Sequence, residues 1–297
     1  MNDPRAQAHP IQSEPGLPAD PVARALLAMA LESGEAILAI YAEATDYISK
    51  GDGSPVTAAD HAAEAIILRR LAEAFPALPV VAEEAIAAGH IPAIGPDFIL
   101  VDPLDGTREF ISRNGEFTVN IAIIRGGVPV QGVVYAPASG DIYWNVEGEA
   151  FHACVRDGTI TEIASIAVRP APAEGISILA SRSHLCGQTQ SMIEALKAAD
   201  VVSVGSSLKL CWLASGKADV YPRLSPTMQW DIAAGHAVLR AAGGTVRNIT
   251  EPGWPELAYR LVPETDVVTM LRNPAFVAVG DAALVGDVRK CLESKSG

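Results

Sequence analysis

The chain has 297 residues, 49% hydrophobic and 19% charged, which suits one large or two fused globular units. A net charge of −13 excludes the basic footprint that a nucleic-acid duplex requires. It does not exclude a small anion, because bound cations can invert a local field.

The first twenty residues, "MNDPRAQAHPIQSEPGLPAD", are polar and Pro-rich and read as a tail without fixed structure. They hold no apolar core of a secretory signal, so the expected location is cytoplasmic. No run of about 18 consecutive apolar residues appears, so no transmembrane segment is expected. Cys154, Cys186, Cys211 and Cys291 form no C-x-x-C pair and read as reduced thiols.

Asp20-Pro21 opens a first helix, with Asp as the cap and Pro at the first helical position. Val22, Leu26, Met29, Ile37 and Ile40 fall near one face of it. "YISKGDGSPVTAAD" reads as a Gly-containing loop. Thr57 and Asp60 have the form of a capping box that opens a second helix running to about Phe75. "LPVVA" is a short strand ending at Glu83-Glu84, and "DFILV" another ending at Asp102. Between them "AIAAGHIPAIG" reads as an apolar loop.

"FTVNIAIIR", Gly126-Gly127 and "VPVQGVVYAP" predict two strands joined by a two-residue turn. "DIYWNVEG" and "EAFHACVRDG" continue an antiparallel meander. From about residue 170 strands and helices alternate: "ISILAS", "TQSMIEALKAA", "VVSVG", "SSLKLCWLASG", "ADVYPRL" and "DIAAGHAVLRAAGG". "AFVAVG" and a last helix close the chain. The expected class is mixed α/β, with a tail over 1–20, an α+β half over 21–168 and an α/β half over 169–297.

Acids gather where these elements end: Glu83-Glu84, Asp102 with Asp105, and Asp231. Each has an ordinary structural reading. Glu84 suits a solvated loop, Asp231 a helix first turn, and Asp60 a capping box. "DPLDGT" at 102–107 is harder to explain that way. Pro103 fixes the backbone, Gly106 permits a close turn, and Thr107 starts a short helix whose N–H groups suit a phosphate. Two carboxylates held about 4 Å apart repel by about 4 kcal/mol at an effective dielectric of 20. A divalent cation between them removes that repulsion. Oxygen ligands alone favour Mg²⁺ or Mn²⁺ over zinc. "LDGT" also ends the haloacid-dehalogenase signature, but the Asp-x-Asp of that signature fails here: Pro103 stands two residues before Asp105.

With "VVAEEA", "DPLDGTREF" and "WDIAAGHAVLRAAGG" in that order, the chain resembles the lithium-sensitive, Mg²⁺-dependent phosphatases of the inositol monophosphatase superfamily. Through "SPVTAAD", "GVVYAP", "SRSH", "GSSLK", "YPRLSPTMQWD" and "LRNPAF" it is most similar to the bacterial 3'(2'),5'-bisphosphate nucleotidases. The resemblance covers roughly residues 22–290. It implies an αβαβα layered sandwich with the site between the two halves.

The resemblance also implies roles. Glu83, Asp102 and the Leu104 carbonyl hold a first metal, with the Thr107 carbonyl nearby. Asp102 bridges to a second metal held by Asp105 and Asp231, and a third, weakly held ion is allowed. Asp60 and Thr107 orient the attacking water. The N–H groups of Gly106 and Thr107 hold the phosphate, while His184, Ser206, Lys209 and Arg223 contact the nucleotide. The implied substrate is adenosine 3',5'-bisphosphate, a by-product of sulfate activation, with its 5'-phosphosulfate form as a second candidate. An inositol or sugar phosphatase, and a polyanion-binding regulator without catalysis, are the alternatives. The resemblance leaves contact with the inner face of the inner membrane open. Ala85 stands where the family often has Asp, and Arg108 where it often has Lys.

Overall fold

The computed structural model describes residues 17–42, 47–49, 55–93, 95–181, 187–196, 198–260 and 266–293. The chain runs α1 (Pro21–Ala42), β1 (Tyr47–Ser49), β2 (Pro55–Thr57), α2 (Ala58–Ala74), β3 (Val80–Ala82), α3 (Glu83–Ala87), β4 (Asp97–Asp105) and α4 (Thr107–Ile111). The meander follows as β5 (Thr118–Arg125), β6 (Val128–Ala136), β7 (Asp141–Val146), β8 (Glu149–Arg156) and β9 (Thr159–Ile166). Next come β10 (Ser177–Ser181), α5 (Gly187–Leu196), β11 (Asp200–Val204), α6 (Leu208–Ala214), β12 (Val220–Arg223) and α7 (Gln229–Ala241). The chain closes with β13 (Thr245–Asn248), α8 (Val267–Met270), β14 (Phe276–Val279) and α9 (Leu284–Glu293).

Strands β3 to β9 form a seven-stranded sheet in sequence order, parallel only between β3 and β4. A five-stranded mixed sheet has the order β11-β10-β12-β14-β13. Alternation along each strand divides the core. Ile99, Val101, Val119, Ile121 and Ile123 face Leu26, Met29, Ile37 and Ile67 of α1 and α2. Phe98, Leu100, Ala122 and Ile124 face the other way, onto Leu210, Leu213, Val238 and Leu239 of α6 and α7. Those two helices lie between the sheets, because Tyr221, Phe276 and Ala278 of the second sheet belong to the same apolar cluster. Ile178, Val220, Val277 and Val279 turn to Ile193 of α5 and Val288 of α9. The layers are therefore α, β, α, β, α, as the motif resemblance implied.

Asp20 caps α1, accepting the N–H groups of Val22 at 3.2 Å and Ala23 at 3.0 Å. Residues 1–16 of the expected tail lie outside the described residues. Gly126 and Gly127 both have positive φ, 57° and 85°, as the predicted two-residue turn requires.

Some expectations need correction. The segment read as a loop after α1 begins and ends as a small antiparallel pair, with Ile48 opposite Val56, two β-branched residues. The apolar loop after Glu84 starts instead as the helical turn α3, which buries Ile86. β13 was not foreseen, since "GTVRN" is short and polar at its ends, yet it pairs in register with β14. α1 does have the length and mean apolarity of a membrane span. Glu32 and Glu35 interrupt its apolar run, so a count of consecutive residues misses it. Its Leu26–Ile37 face is spent on the first sheet and α2.

Candidate active site

The sequence raised the question of how two acids three residues apart can act together at the end of a buried strand. In a regular strand, residues i and i+3 face opposite sides. Here the register passes from Asp102 opposite Asn120 to Asp105 opposite Thr118, so β4 holds one residue more than its partner. This bulge falls on Pro103 and Leu104, and Pro103 has no N–H to give to the ladder. Its effect is a change of parity. Leu104 turns into the α1/α2 core, and Asp102 and Asp105 are left on the same side. Strand β4 thus runs past Asp102, where the apolar pattern alone had ended it.

The turn after Asp105 is equally constrained. Gly106 has φ of 95°, and a Cβ there would sit 3.1 Å from the Glu116 carbonyl and 3.3 Å from Phe117 Cα. A glycine is required by both conformation and space. Leu104 N–H donates to Asp102 Oδ1 at 3.1 Å, and the Thr107 hydroxyl donates to the Leu104 carbonyl at 3.5 Å. The Leu104 peptide is therefore tied to Asp102 through its N–H and to Thr107 through its carbonyl.

Asp231 comes from the other side, at the third position of α7. Its Oδ2 accepts the Met228 N–H at 2.9 Å, the ordinary duty of a first-turn acid. The start of α7 is pinned by the segment "LRNPAF". Gln229 N–H donates to the Leu271 carbonyl at 2.8 Å, and Asn273 Nδ2 to the Met228 carbonyl at 2.7 Å. Small residues seat the rest of the helix. A Cβ on Gly132 of β6 would lie 2.6 Å from the Ala234 carbonyl, and one on Gly235 would lie 2.8 Å from Leu210 Cβ. "WDIAAG" is thus a packing motif and an acid together: Ala234 and Gly235 let α7 approach β6 and α6, which carries Asp231 to the strand acids.

Glu83, Asp105, Gly106, Thr107, Ser206, Lys209, Arg223 and Asp231 line a single cleft of about 330 Å³. Asp102 is buried beside them, 1% exposed, and is not itself part of the lining. Its carboxyl is held well above the usual Asp range, first by burial and then by Glu83, Asp105, Asp231 and Asp60. Asp231 is raised in the same way, by burial, then Asp105 and Glu83. Asp105 is raised by burial, against the pull of Lys209 and the hydroxyl of Ser207. Five acids from α2, α3, β4 and α7 therefore meet and repel one another. Glu83 is the member of its pair that faces the cleft. Glu84 is buried on the α2 side, where its N–H donates to Glu64 Oε2 at 2.8 Å.

Carboxylate and carbonyl oxygens, with no thiolate or imidazole among the described cleft residues, fit hard divalent cations. The raised carboxyls point the same way, since this repulsion is what such ions relieve.

The expected substrate contacts are placed less simply. Lys209 and Arg223 are buried, not solvated. Lys209 Nζ donates to the Val204 carbonyl at 3.2 Å and the Ser206 carbonyl at 2.5 Å, and burial lowers its pKa to about 8. Arg223 donates from Nε to the Ser225 carbonyl at 3.2 Å and from an Nη to the Pro226 carbonyl at 3.0 Å. Ser206 sits at φ of 46°, on the cleft wall. His184 lies outside the described residues.

Sequence reasoning missed Ser207. Its hydroxyl accepts Asn120 Nδ2–H at 2.9 Å and has two acceptors within reach, Asp105 Oδ2 at 2.8 Å and the Asp231 carbonyl at 2.5 Å. It stands in the cap position of α6 but makes no capping bond. The signal was the second Ser of "GSSLK", whose default reading is a helix cap. Arg272, on the same cleft wall, was missed as well.

A family model described as the inositol monophosphatase family matches residues 19–279. The 3'(2'),5'-bisphosphate nucleotidase CysQ of Salmonella typhimurium is 44% identical over 223 residues, covering 74% of this chain and 87% of that protein. The CysQ protein of Escherichia coli K12 is 43% identical with the same coverage. The crystal structure of CysQ from Bacteroides thetaiotaomicron superposes with a TM-score of 0.70 at 39% identity, over 86% of this chain and 96% of that one. An IMPase of Thermotoga maritima shares the fold, with a TM-score of 0.68 at 21% identity, over 90% of this chain and 95% of that one. On sequence, fold and the matched span alike, this chain belongs to the inositol monophosphatase family.

Proposed function

We propose that this protein is a metal-dependent 3'(2'),5'-bisphosphate nucleotidase that removes the 3'-phosphate of adenosine 3',5'-bisphosphate to give AMP and phosphate. The observation that carries the reading is the meeting of Glu83, Asp102, Asp105 and Asp231 at one cleft that Lys209 and Arg223 also line. An acid cluster alone would suit a cation and repel a nucleotide. Cations lining the same cleft suit a substrate with a second phosphate.

Glu83, Asp102, Asp105, Asp231 and the Leu104 carbonyl are proposed to hold two Mg²⁺ ions, with room for a third, and Mn²⁺ as a substitute. Bound divalent cations supply charge neutralisation and a more acidic water. The chain's own groups supply direction. Asp60 and the Thr107 hydroxyl orient the attacking water. The N–H groups of Gly106 and Thr107 receive the phosphate oxygens, with the glycine turn allowing the close approach. Asp102, buried and pressed by the charges of Glu83, Asp105, Asp231 and Asp60, would be relieved by such ions. Ser206, Lys209 and Arg223, with His184, are assigned to the ribose and 5'-phosphate. In this scheme residues 21–168 supply the acids of the strand side, and 169–297 supply Asp231 and the substrate contacts.

The proposed setting is the cytoplasm and sulfate assimilation, where the substrate arises. The test is phosphate release from purified protein, with and without Mg²⁺, on adenosine 3',5'-bisphosphate, its 5'-phosphosulfate form and inositol 1-phosphate. Preference for the nucleotides is expected. Preference for the inositol ester overturns the substrate assignment, and no Mg²⁺-dependent release from any ester overturns the enzyme.

A further inference from the structure

A second group of unlike ligands lies away from the cleft. Asp141 of β7 stands directly opposite Cys154 of β8 in the ladder, and His152 precedes Cys154 by two residues. Positions two apart on a strand share a face, so register alone brings a carboxylate, an imidazole and a thiol together. One ligand atom from each lies within 4.8 Å of the others. His152 Nε2 is 2.8 Å from Asp141 Oδ1. The tetrahedral edges of a zinc site are about 3.3–3.8 Å, given Zn–N near 2.0 Å and Zn–S near 2.3 Å. Closing the group around an ion therefore needs side-chain adjustment of about 1 Å, and no movement of the strands.

The neighbouring strand is irregular at the same point. Between His152 and Cys154 the β8–β9 register slips, as β9 passes from Ala164 to Thr161. Glu162 falls in that slip with φ of 56°, a left-handed conformation that non-glycine residues rarely adopt. Burial, and then the charge of this Glu162, push the Cys154 thiol pKa up. The side chains of Asp141 and His152 are 33% and 24% exposed, so an ion can enter from solvent. Strand β7 lies three strand spacings from β4, about 14 Å across the sheet, so the group is separate from the acid cleft.

We propose that Asp141, His152 and Cys154 form a second metal site that takes a zinc-class divalent cation and clamps β7 and β8 together, with water as the remaining ligand. Imidazole and thiolate prefer such an ion to Mg²⁺. Binding releases the Cys154 thiol proton to solvent, and the thiolate becomes the ligand. The site is independent of the phosphatase reading, because none of its residues lines the cleft.

The experiment titrates full-length protein with Co²⁺ in excess Mg²⁺ and reads the ultraviolet sulfur-to-cobalt charge-transfer absorption. Saturation at one equivalent is expected, in wild type and in Asp105→Asn alike, with loss of the band on adding Zn²⁺. Cys154→Ser should lose the band and keep phosphatase activity. His152→Gln, which leaves the thiol in place, should bind Co²⁺ at least tenfold more weakly. No band in wild type overturns the site, as does an undiminished band in Cys154→Ser or unchanged affinity in His152→Gln. If Cys154→Ser does not fold, the His152→Gln affinity decides alone.

Discussion

Without metal, the acid cleft should weaken the fold, and Asp102→Asn measures by how much. Asp102 is buried, and its carboxyl is pushed up by burial and by Glu83, Asp105, Asp231 and Asp60. One like-charged pair about 5 Å apart contributes roughly 3 kcal/mol at an effective dielectric of 20. Asparagine removes the charge and keeps Oδ1, the acceptor of the Leu104 N–H, so no bond need be lost. Allowing for relaxation and partial protonation, a gain of about 2–3 kcal/mol is expected in chelator at pH 7.5. At about 2 °C per kcal/mol for a chain of this length, Tm rises by about 4–6 °C. An acid whose folded pKa is raised binds more protons folded than unfolded. Its penalty is absent below the unfolded pKa, grows as pH rises, and is complete above the folded pKa. The difference between variant and wild type should therefore shrink toward pH 4. Saturating Mg²⁺ should reverse the order, raising the Tm of wild type more than that of the variant, while the variant loses phosphatase activity. A variant no more stable than wild type in chelator, or a gain that persists unchanged at pH 4, refutes the reasoning.

Three further outcomes are expected. Gly132→Ala places a methyl 2.6 Å from the Ala234 carbonyl, with backbone on both sides; urea unfolding should register a loss of about 1–3 kcal/mol, with weakened Mg²⁺ activation because α7 carries Asp231. Ser207→Ala removes the hydroxyl that touches Asp105 and Asn120, and the Mg²⁺ concentration for half-maximal rate should rise about 10–100-fold at near-wild-type Tm. Millimolar Li⁺ should lower turnover by replacing one Mg²⁺ at the proposed second ion position; turnover unchanged in Li⁺ counts against that geometry.

Local pattern made much of this molecule readable from sequence. The Asp20-Pro21 cap, the Gly126-Gly127 turn and the apolar runs of the central strands are decided by residues within a few positions of one another. Asp102, Asp105 and Asp231 were legible as acids where acids are costly. What could not be read depends on partners far along the chain. Asp102 and Asp105 share a side only because of a bulge that shows in the pairing with Asn120 and Thr118. Ser207 looks like a helix cap until Asn120, 87 positions away, donates to it. "LRNPAF" carries no visible chemistry, yet its Asn273 fixes where α7 begins, and so where Asp231 stands.

Lys209 and Arg223 extend the argument from stability to recognition. Long cationic side chains normally lose considerable rotamer freedom when they take hold of an anion. Here both are already held by backbone carbonyls, Lys209 by those of Val204 and Ser206, and Arg223 by those of Ser225 and Pro226. The ordering cost is therefore met in folding, which leaves more of the interaction with a second phosphate as affinity. The same contacts make each cation a support for its loop. Lys209 steadies the turn that carries Ser206 and Ser207, and Ser207 in turn touches Asp105. The residues proposed for substrate and those proposed for metal are thereby joined through one short turn, so a change at Lys209 should alter Mg²⁺ dependence as well as nucleotide KM.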